Sequence, residues 1–259
     1  DMAHEFCKVD REGPILIVTI NRPEVYNALH APAHHELAQV WDEFAADDDL
    51  WVAVLTGAGD KAFSAGNDLK YTAQGGKGTP PPSGFAGLSM RHDLEKPLVA
   101  AVNGFAMGGG FETALACDVI LASETAKFAL PEVKVGLFAA AGGVQRLSRQ
   151  IGRKPAVEMM LTGRSVSAEE GRALGFVNAV HAPGALMDAA MAKAQEIASV
   201  SPSSVKATKR VLNKMDEMED LAASLKYSRD VMSELRDTED FREGVNAFVE
   251  KRAPQWKNR

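Results

Sequence analysis

Two glutamates and two glycine-containing stretches mark where this 259-residue sequence has the residue types for chemistry. Glu112 and Glu132 each sit among apolar neighbours, in GGGFETALA and FALPEVKVG. Burial among such side chains disfavours a charged carboxylate and moves its proton affinity toward neutrality, where a glutamate serves as an acid or a base. The glycines Gly108, Gly109 and Gly110 follow a β-branched run ending at Val102 and precede a helical pattern over 111–117. With side chains removed there, a ligand reaches the backbone, and free N–H groups at the helix's positive end stabilise an oxyanion. In the second stretch, AFSAGNDL over 62–69, Gly66 lets the chain fold sharply so that the next N–H points into a cleft. Plainer uses exist for each feature. Glu112 also suits the helix dipole, Glu132 an exposed turn, and a strand followed by glycines also builds tight turns and phosphate loops. The G-x-x-x-x-G-K-[ST] of a phosphate loop is absent. GAGDKA over 57–62 imitates a dinucleotide fingerprint, but no helix pattern follows and no acid stands ~20 residues on, so it reads as a turn.

These residues need elements to hold them. Short β-branched runs at 15–20, 51–55, 98–102 and 119–121 alternate with helical patterns, which predicts an α/β fold. Between the first two runs, Leu37, Val40, Trp41 and Phe44 recur at helical spacing and predict a helix with one buried face. Beyond about Pro183 the strands stop and Ala, Met, Lys and Glu dominate. The expected organisation is therefore an α/β core with the site over 1–183 and a helical C-terminal region over 184–259. The segment 72–84 is rich in Gly and Pro without apolar periodicity and reads as a surface loop, either a lid or a passive connector.

Composition narrows the function classes. The formal net charge is −6, from 29 basic and 35 acidic residues, and the basic residues are scattered, which argues against nucleic acid as a main partner. KRAPQWKNR at the C-terminus is the one basic cluster, read as a solvated tail or a phosphate contact. Apolar runs break well before ~20 residues, so no membrane crossing is expected. The N-terminal residues show neither a basic start nor an apolar signal core, and a cytoplasmic location is the simplest expectation. Cys7 and Cys117 lie far apart, outside any ligand spacing, and predict reduced thiols and no zinc site. His30, His34 and His35 offer one ligand-like spacing and no third partner, so no metal is expected. Ser64 and His92 do not form a nucleophilic pair, because Ser64 lies outside a G-x-S-x-G elbow.

The motifs AFSAGNDL, AAVNGFAMGGGFETALACD, FALPEVKVG, GGVQRL and the early NRPEVYNAL, in this order and spacing, resemble the crotonase family of enoyl-CoA hydratases and isomerases. The ending FVEKRAPQW is also similar to the family's C-termini. The resemblance implies a ββα spiral core with a helical C-terminal trimerisation region, assembled as a homotrimer or a dimer of trimers. It implies an acyl-CoA thioester whose oxygen is held by the backbone N–H groups of Asn67 and Gly109. Ala65, Gly66, Asp68, Leu69, Gly108 and Ala140 would contact the substrate. Phe248 and Lys251 would reach the coenzyme A of a neighbouring subunit. No cofactor is implied beyond the coenzyme A of the substrate.

Family hydratases carry two glutamates at the positions of Glu112 and Glu132, whereas members that only shift a double bond commonly keep the second. The resemblance thus implies a lyase that adds water to a 2-enoyl-CoA or removes it from a 3-hydroxyacyl-CoA. Glu132 would exchange the proton at Cα and Glu112 would activate the water that adds at Cβ. An isomerase, a thioester hydrolase or a non-catalytic binding protein on the same scaffold are the competing readings. One departure stands out: Ala139-Ala140-Ala141 replaces the Pro-Gly pair of many family hydratases, which bears on the pocket's polarity. SGFAGL over 83–88 and EKRAPQWKNR are similar to carnitinyl-CoA dehydratases, whose β-hydroxy substrate carries a trimethylammonium group.

Overall fold

A computed structural model describes residues 4–259 of the chain. Strands β1 (Cys7–Glu12) and β2 (Ile15–Ile20) form an antiparallel hairpin that turns at Gly13, where φ is +56°. From there the chain repeats one unit. β3 (Val52–Gly57) is followed by β4 (Ala62–Ser64), β5 (Leu98–Val102) by β6 (Phe105–Met107), and β7 (Val119–Ser123) by β8 (Lys127–Ala129). In each pair the first strand enters a main sheet and the second a smaller one; β9 (Val166–Ser167) and β10 (Ala179–His181) complete them. The main sheet has the order β1-β2-β3-β5-β7-β10, parallel from β2 onward, and the small sheet the order β4-β6-β8-β9, with only β9 antiparallel.

Helices return the chain between units: α1 (Ala31–Ala46) leads into β3, α2 (Leu69–Ala73) follows β4, and α3 (Gly109–Leu115) follows β6. α4 (Gly143–Ile151) and α5 (Arg153–Thr162) come after β8, and α6 (Ala168–Leu174) joins β9 to β10. This strand-strand-helix repetition is the ββα spiral that the sequence resemblance implies. Four helices follow: α7 (Leu186–Ala198), α8 (Pro202–Met215), α9 (Leu221–Arg236) and α10 (Glu239–Glu250). None is long and apolar enough to cross a membrane among the described residues.

Every residue of β3 and β5 is buried, as their unbroken β-branched and alanine runs require of parallel strands covered on both faces. Successive side chains go to opposite sides. Val52, Val54, Val99 and Ala101 meet Leu186, Ala190 and Ala194 of α7 on one face. Ala53, Leu55, Ala100 and Val102 meet a core containing Trp41, Phe44, Phe63, Phe111 and Phe128 on the other. The α1 stripe expected from its spacing, Leu37, Val40, Trp41 and Phe44, is buried in that core. The helical region that begins near residue 184 therefore starts with a helix of the sheet's own packing; α8 to α10 lie beyond it.

The basic C-terminal stretch is neither a loose tail nor a free cluster of charge. Asp240, 1% exposed, accepts hydrogen bonds from the amides of Lys257 and Asn258, and Asn258 donates to Asp48 O at 2.9 Å. Arg252 pairs with Glu243 and Glu250, and Lys257 and Arg259 with Glu239. The segment 72–84 is irregular beyond Gln74 and largely exposed, tied to α1 by His35 against Thr79 O at 2.9 Å.

Candidate active site

Close backbone approach builds the site. α3 starts at Gly109, earlier than the predicted Phe111, although glycine disfavours helix. The reason is contact with β4: a Cβ on Gly110 would lie 2.0 Å from Ser64 O, and one on Gly66 would lie 2.6 Å from Met107 O and 3.1 Å from the Gly109 nitrogen. Only glycines let these two stretches touch. Gly66 also has φ +94° and Gly108 φ +56°, in the left-handed region that side chains avoid.

This contact brings the backbone at Gly66 and at Gly109 together. Leu29 donates to Gly66 O at 2.7 Å and accepts from Asp68 N at 2.8 Å, which makes a parallel bridge between Leu29 and Asn67. In such a bridge the paired residue's own N–H points away from the partner, so the Asn67 amide faces the side opposite Leu29. The Gly109 amide lies in the first turn of α3, where an N–H has no intrahelical acceptor.

Glu112 sits one turn into α3, its amide bonded to Gly108 O at 3.0 Å and the residue only 3% exposed. Its Oε1 accepts a 2.9 Å hydrogen bond from Gly143 N at the start of α4. Burial pushes its pKa up to about 7; the amides of Gly143 and Ala141 and the Arg146 guanidinium oppose the shift, and the Glu132 charge adds to it. Glu132 lies in a 3-10 turn, Pro131–Val135, directly after β8. A Cβ on Gly108 would lie 3.0 Å from its Oε1, so Gly108 makes room for this carboxylate at the head of α3. Burial raises the Glu132 pKa as well, and its Oε2 is buried without a hydrogen-bond partner among the described residues. Both glutamates and the Gly109 amide thus meet at one end of one short helix. Burial raises the proton affinity of both carboxyls above the ordinary value.

The remaining expected residues divide. Ala65, half-buried, donates to Tyr26 O at 2.9 Å, and Leu69 and Ala140 are exposed. Asp68 is turned inward: its carboxylate accepts from Arg22 at 3.0 Å and from Tyr71 N at 3.0 Å, which fixes the turn that carries Asn67. Phe248 is 86% exposed and Lys251 exposed, at the end of α10, which packs on α8 and α9. A cavity of about 990 Å³ touches Ala140 and Gly142 but opens at the C-terminal end of α3, along Leu115, Cys117, Lys209 and Asp216. The Gly108–Gly110 backbone and Glu132 lie at the opposite end of that helix.

Several positioning residues carried no role in the sequence reading. Asn27 of NRPEVYNAL holds Ala58 O and Ala62 O, and Arg22 of the same motif holds Ala28 O and Asp68. Arg146 of GGVQRL donates to Ser89 O at 2.9 Å and lies against Gly142, beside the Glu112 carboxylate's partner. Both motifs were visible; which backbone atoms they reach depends on segments distant in the chain. Cys7 and Cys117 are free and buried. His4, Cys7 and Glu36 come within ligand distance of one another, yet the two Glu36 oxygens already accept from Glu5 N and Phe6 N at 2.6 and 2.8 Å.

Comparison with known proteins bears on the family and the fold. The family model described as enoyl-CoA hydratase/isomerase matches residues 10–259. The chain is 43% identical over 258 residues to a carnitinyl-CoA dehydratase of Citrobacter koseri, covering 96% of this chain and 97% of the relative. It is 44% identical over 258 residues to a mevalonyl-coenzyme A hydratase of Beauveria bassiana, covering 94% and 91%. The crystal structure of an enoyl-CoA hydratase from Mycobacterium marinum superposes with a TM-score of 0.93 at 40% identity, covering 98% of this chain and 99% of that one. Matched along nearly its whole length in sequence and in fold, this chain belongs to the enoyl-CoA hydratase/isomerase, or crotonase, family.

Proposed function

We propose that the protein is a hydro-lyase that reversibly adds water, syn, across the double bond of a 2-enoyl-CoA. The observation that carries this reading is the meeting of buried Glu112 and half-buried Glu132, both with raised pKa values, and a side-chain-free backbone at the head of α3. The Asn67 and Gly109 amides hold the thioester oxygen, next to the contacts of Ala65, Gly66, Leu69, Gly108 and Ala140, while Asp68 keeps the Asn67 turn in place. In hydration, water attacks Cβ and gives a proton to the Glu112 carboxylate. The electron pair of the double bond moves into the thioester enolate, whose charge the two amides stabilise. Protonated Glu132 then delivers its proton to Cα, and dehydration runs the same steps backward. Losing one such amide costs about 10²–10³ in rate.

The substrate's own coenzyme A is the only carrier these steps use. Apolar residues exposed along one face of α10, Phe241, Val245, Phe248 and Val249, support an oligomeric contact for the 184–259 region, a trimer or a dimer of trimers, with Phe248 and Lys251 against a neighbour's coenzyme A. Two free buried thiols support a cytoplasmic location. A panel of 2-enoyl, 3-enoyl and 3-hydroxyacyl-CoA thioesters, followed by absorbance of the conjugated double bond, tests the reaction. Double-bond migration without uptake of water would replace it by isomerisation. Inclusion of a β-hydroxy thioester with a trimethylammonium group tests the specialisation that the Citrobacter koseri relative's name brings to mind.

A further inference from the structure

The SGFAGL segment has a use the reaction scheme leaves open. Phe85, Ala86 and Gly87 form a 3-10 turn in which Ala86, a residue with a side chain, has φ 55° and ψ 15°. That left-handed conformation costs energy and persists only where the surroundings enforce it. Here α1 enforces it. His34 Nδ1 accepts from Ala86 N at 2.9 Å and Trp41 Nε1 donates to Ala86 O at 3.0 Å, so both polar atoms of the strained residue are held by side chains of one helix. A Cβ on Gly87 would lie 2.6 Å from Ala38 Cα, which shows the turn pressed flat onto α1.

The product of this clamp is the placement of one ring. Phe85, its amide donating to Ser89 Oγ at 2.7 Å, packs with its ring centre 4.3 Å from that of His34, the two rings tilted at 58°. A Cβ on Gly109 would lie 2.4 Å from Phe85 Cζ, so the ring fills the space where residue 109 would otherwise carry a side chain. His34 is 3% exposed and must be neutral at Nδ1 to accept; burial, with His30 and His35 nearby, pushes its pKa to about 4, so the clamp stays closed at ordinary pH.

We propose that Phe85 is a positioning residue that walls off the Gly109 amide and fixes the acyl carbonyl against it, and that His34 acts on the reaction through the Ala86 turn. The proposal rests on Gly109 as an oxyanion donor. Excluding water around an amide strengthens its interaction with developing charge, and small displacements of a reacting group are costly in rate.

The test uses the full-length protein and 4-(dimethylamino)cinnamoyl-CoA, whose absorbance moves to longer wavelength when its thioester carbonyl is polarised. Phe85→Ala is expected to lower kcat for 2-enoyl-CoA hydration by about 10- to 100-fold with KM changed by no more than about threefold, and to shrink the red shift. His34→Leu should move both readouts in the same direction, and His34→Asn, which restores an acceptor for Ala86 N, should recover much of each. If Phe85→Ala and His34→Leu lower only the melting temperature, leaving kcat per folded molecule and the red shift at wild-type values, the proposal is overturned. A wild-type protein that binds the probe with no red shift would overturn the oxyanion reading of Gly109 itself, and this inference with it.

Discussion

The two carboxyls at the head of α3 are not equivalent. Glu112 has a partner in Gly143 N, whereas the Glu132 Oε2 is buried with none among the described residues. Glu112→Gln and Glu132→Gln are each expected to lower kcat for hydration of a crotonyl-type thioester by about 10²–10⁴-fold, with unchanged folding by circular dichroism. Near-normal turnover in either would refute the assignment. The raised pKa of Glu112 also has a sign in stability. Its proton is bound more tightly in the folded protein, so its contribution is complete below the ordinary value of 4.5 and is lost as pH rises through about 7. Glu112→Gln should therefore gain stability relative to the wild type between those values, by at most about 3 kcal/mol above neutrality. Urea unfolding at pH 5 and pH 8 measures this, and a pH-independent difference would show that the carboxyl is not shifted.

At the scale of elements, the site depends on how closely α3 approaches β4. Gly110→Ala would place a methyl 2.0 Å from Ser64 O, which neither backbone can relieve without moving apart. It should destabilise the protein by roughly 2–4 kcal/mol and separate the Asn67 and Gly109 amides, abolishing activity. Gly184→Ala, with nothing within 4 Å, serves as the control and should be neutral in denaturant unfolding. The same close approach explains why α3 starts two glycines before the point that periodicity marks: propensity argues against helix at Gly109 and Gly110, and tertiary contact decides for it.

For the whole molecule, α7 belongs to the sheet's packing while α10 presents Phe241, Val245, Phe248 and Val249 outward along one face. Light scattering is expected to report an oligomer at micromolar concentration. Phe248→Asp should shift it toward monomer and raise KM for the acyl-CoA more than it lowers kcat, if that residue reaches a neighbour's site. A dilute wild-type monomer of full activity would remove this expectation.

The sequence by itself determined the chemical inventory and the class of scaffold. Short β-branched runs alternating with helical patterns specified an α/β fold, the 37–44 stripe specified α1, and the glycine motifs with Glu112 and Glu132 carried the family resemblance, because these depend on local periodicity and residue type. Tertiary structure decided what those residues face. Asp68 sits inside a site motif yet spends its carboxylate on Arg22 and Tyr71, and His34, one of three neighbouring histidines without an evident role, proves to hold a strained turn fifty-two positions away. Both outcomes hinge on hydrogen bonds between segments remote in the chain, whose partners are chosen by the packing of α1, β4 and α3 and leave no mark in the spacing of the residues themselves.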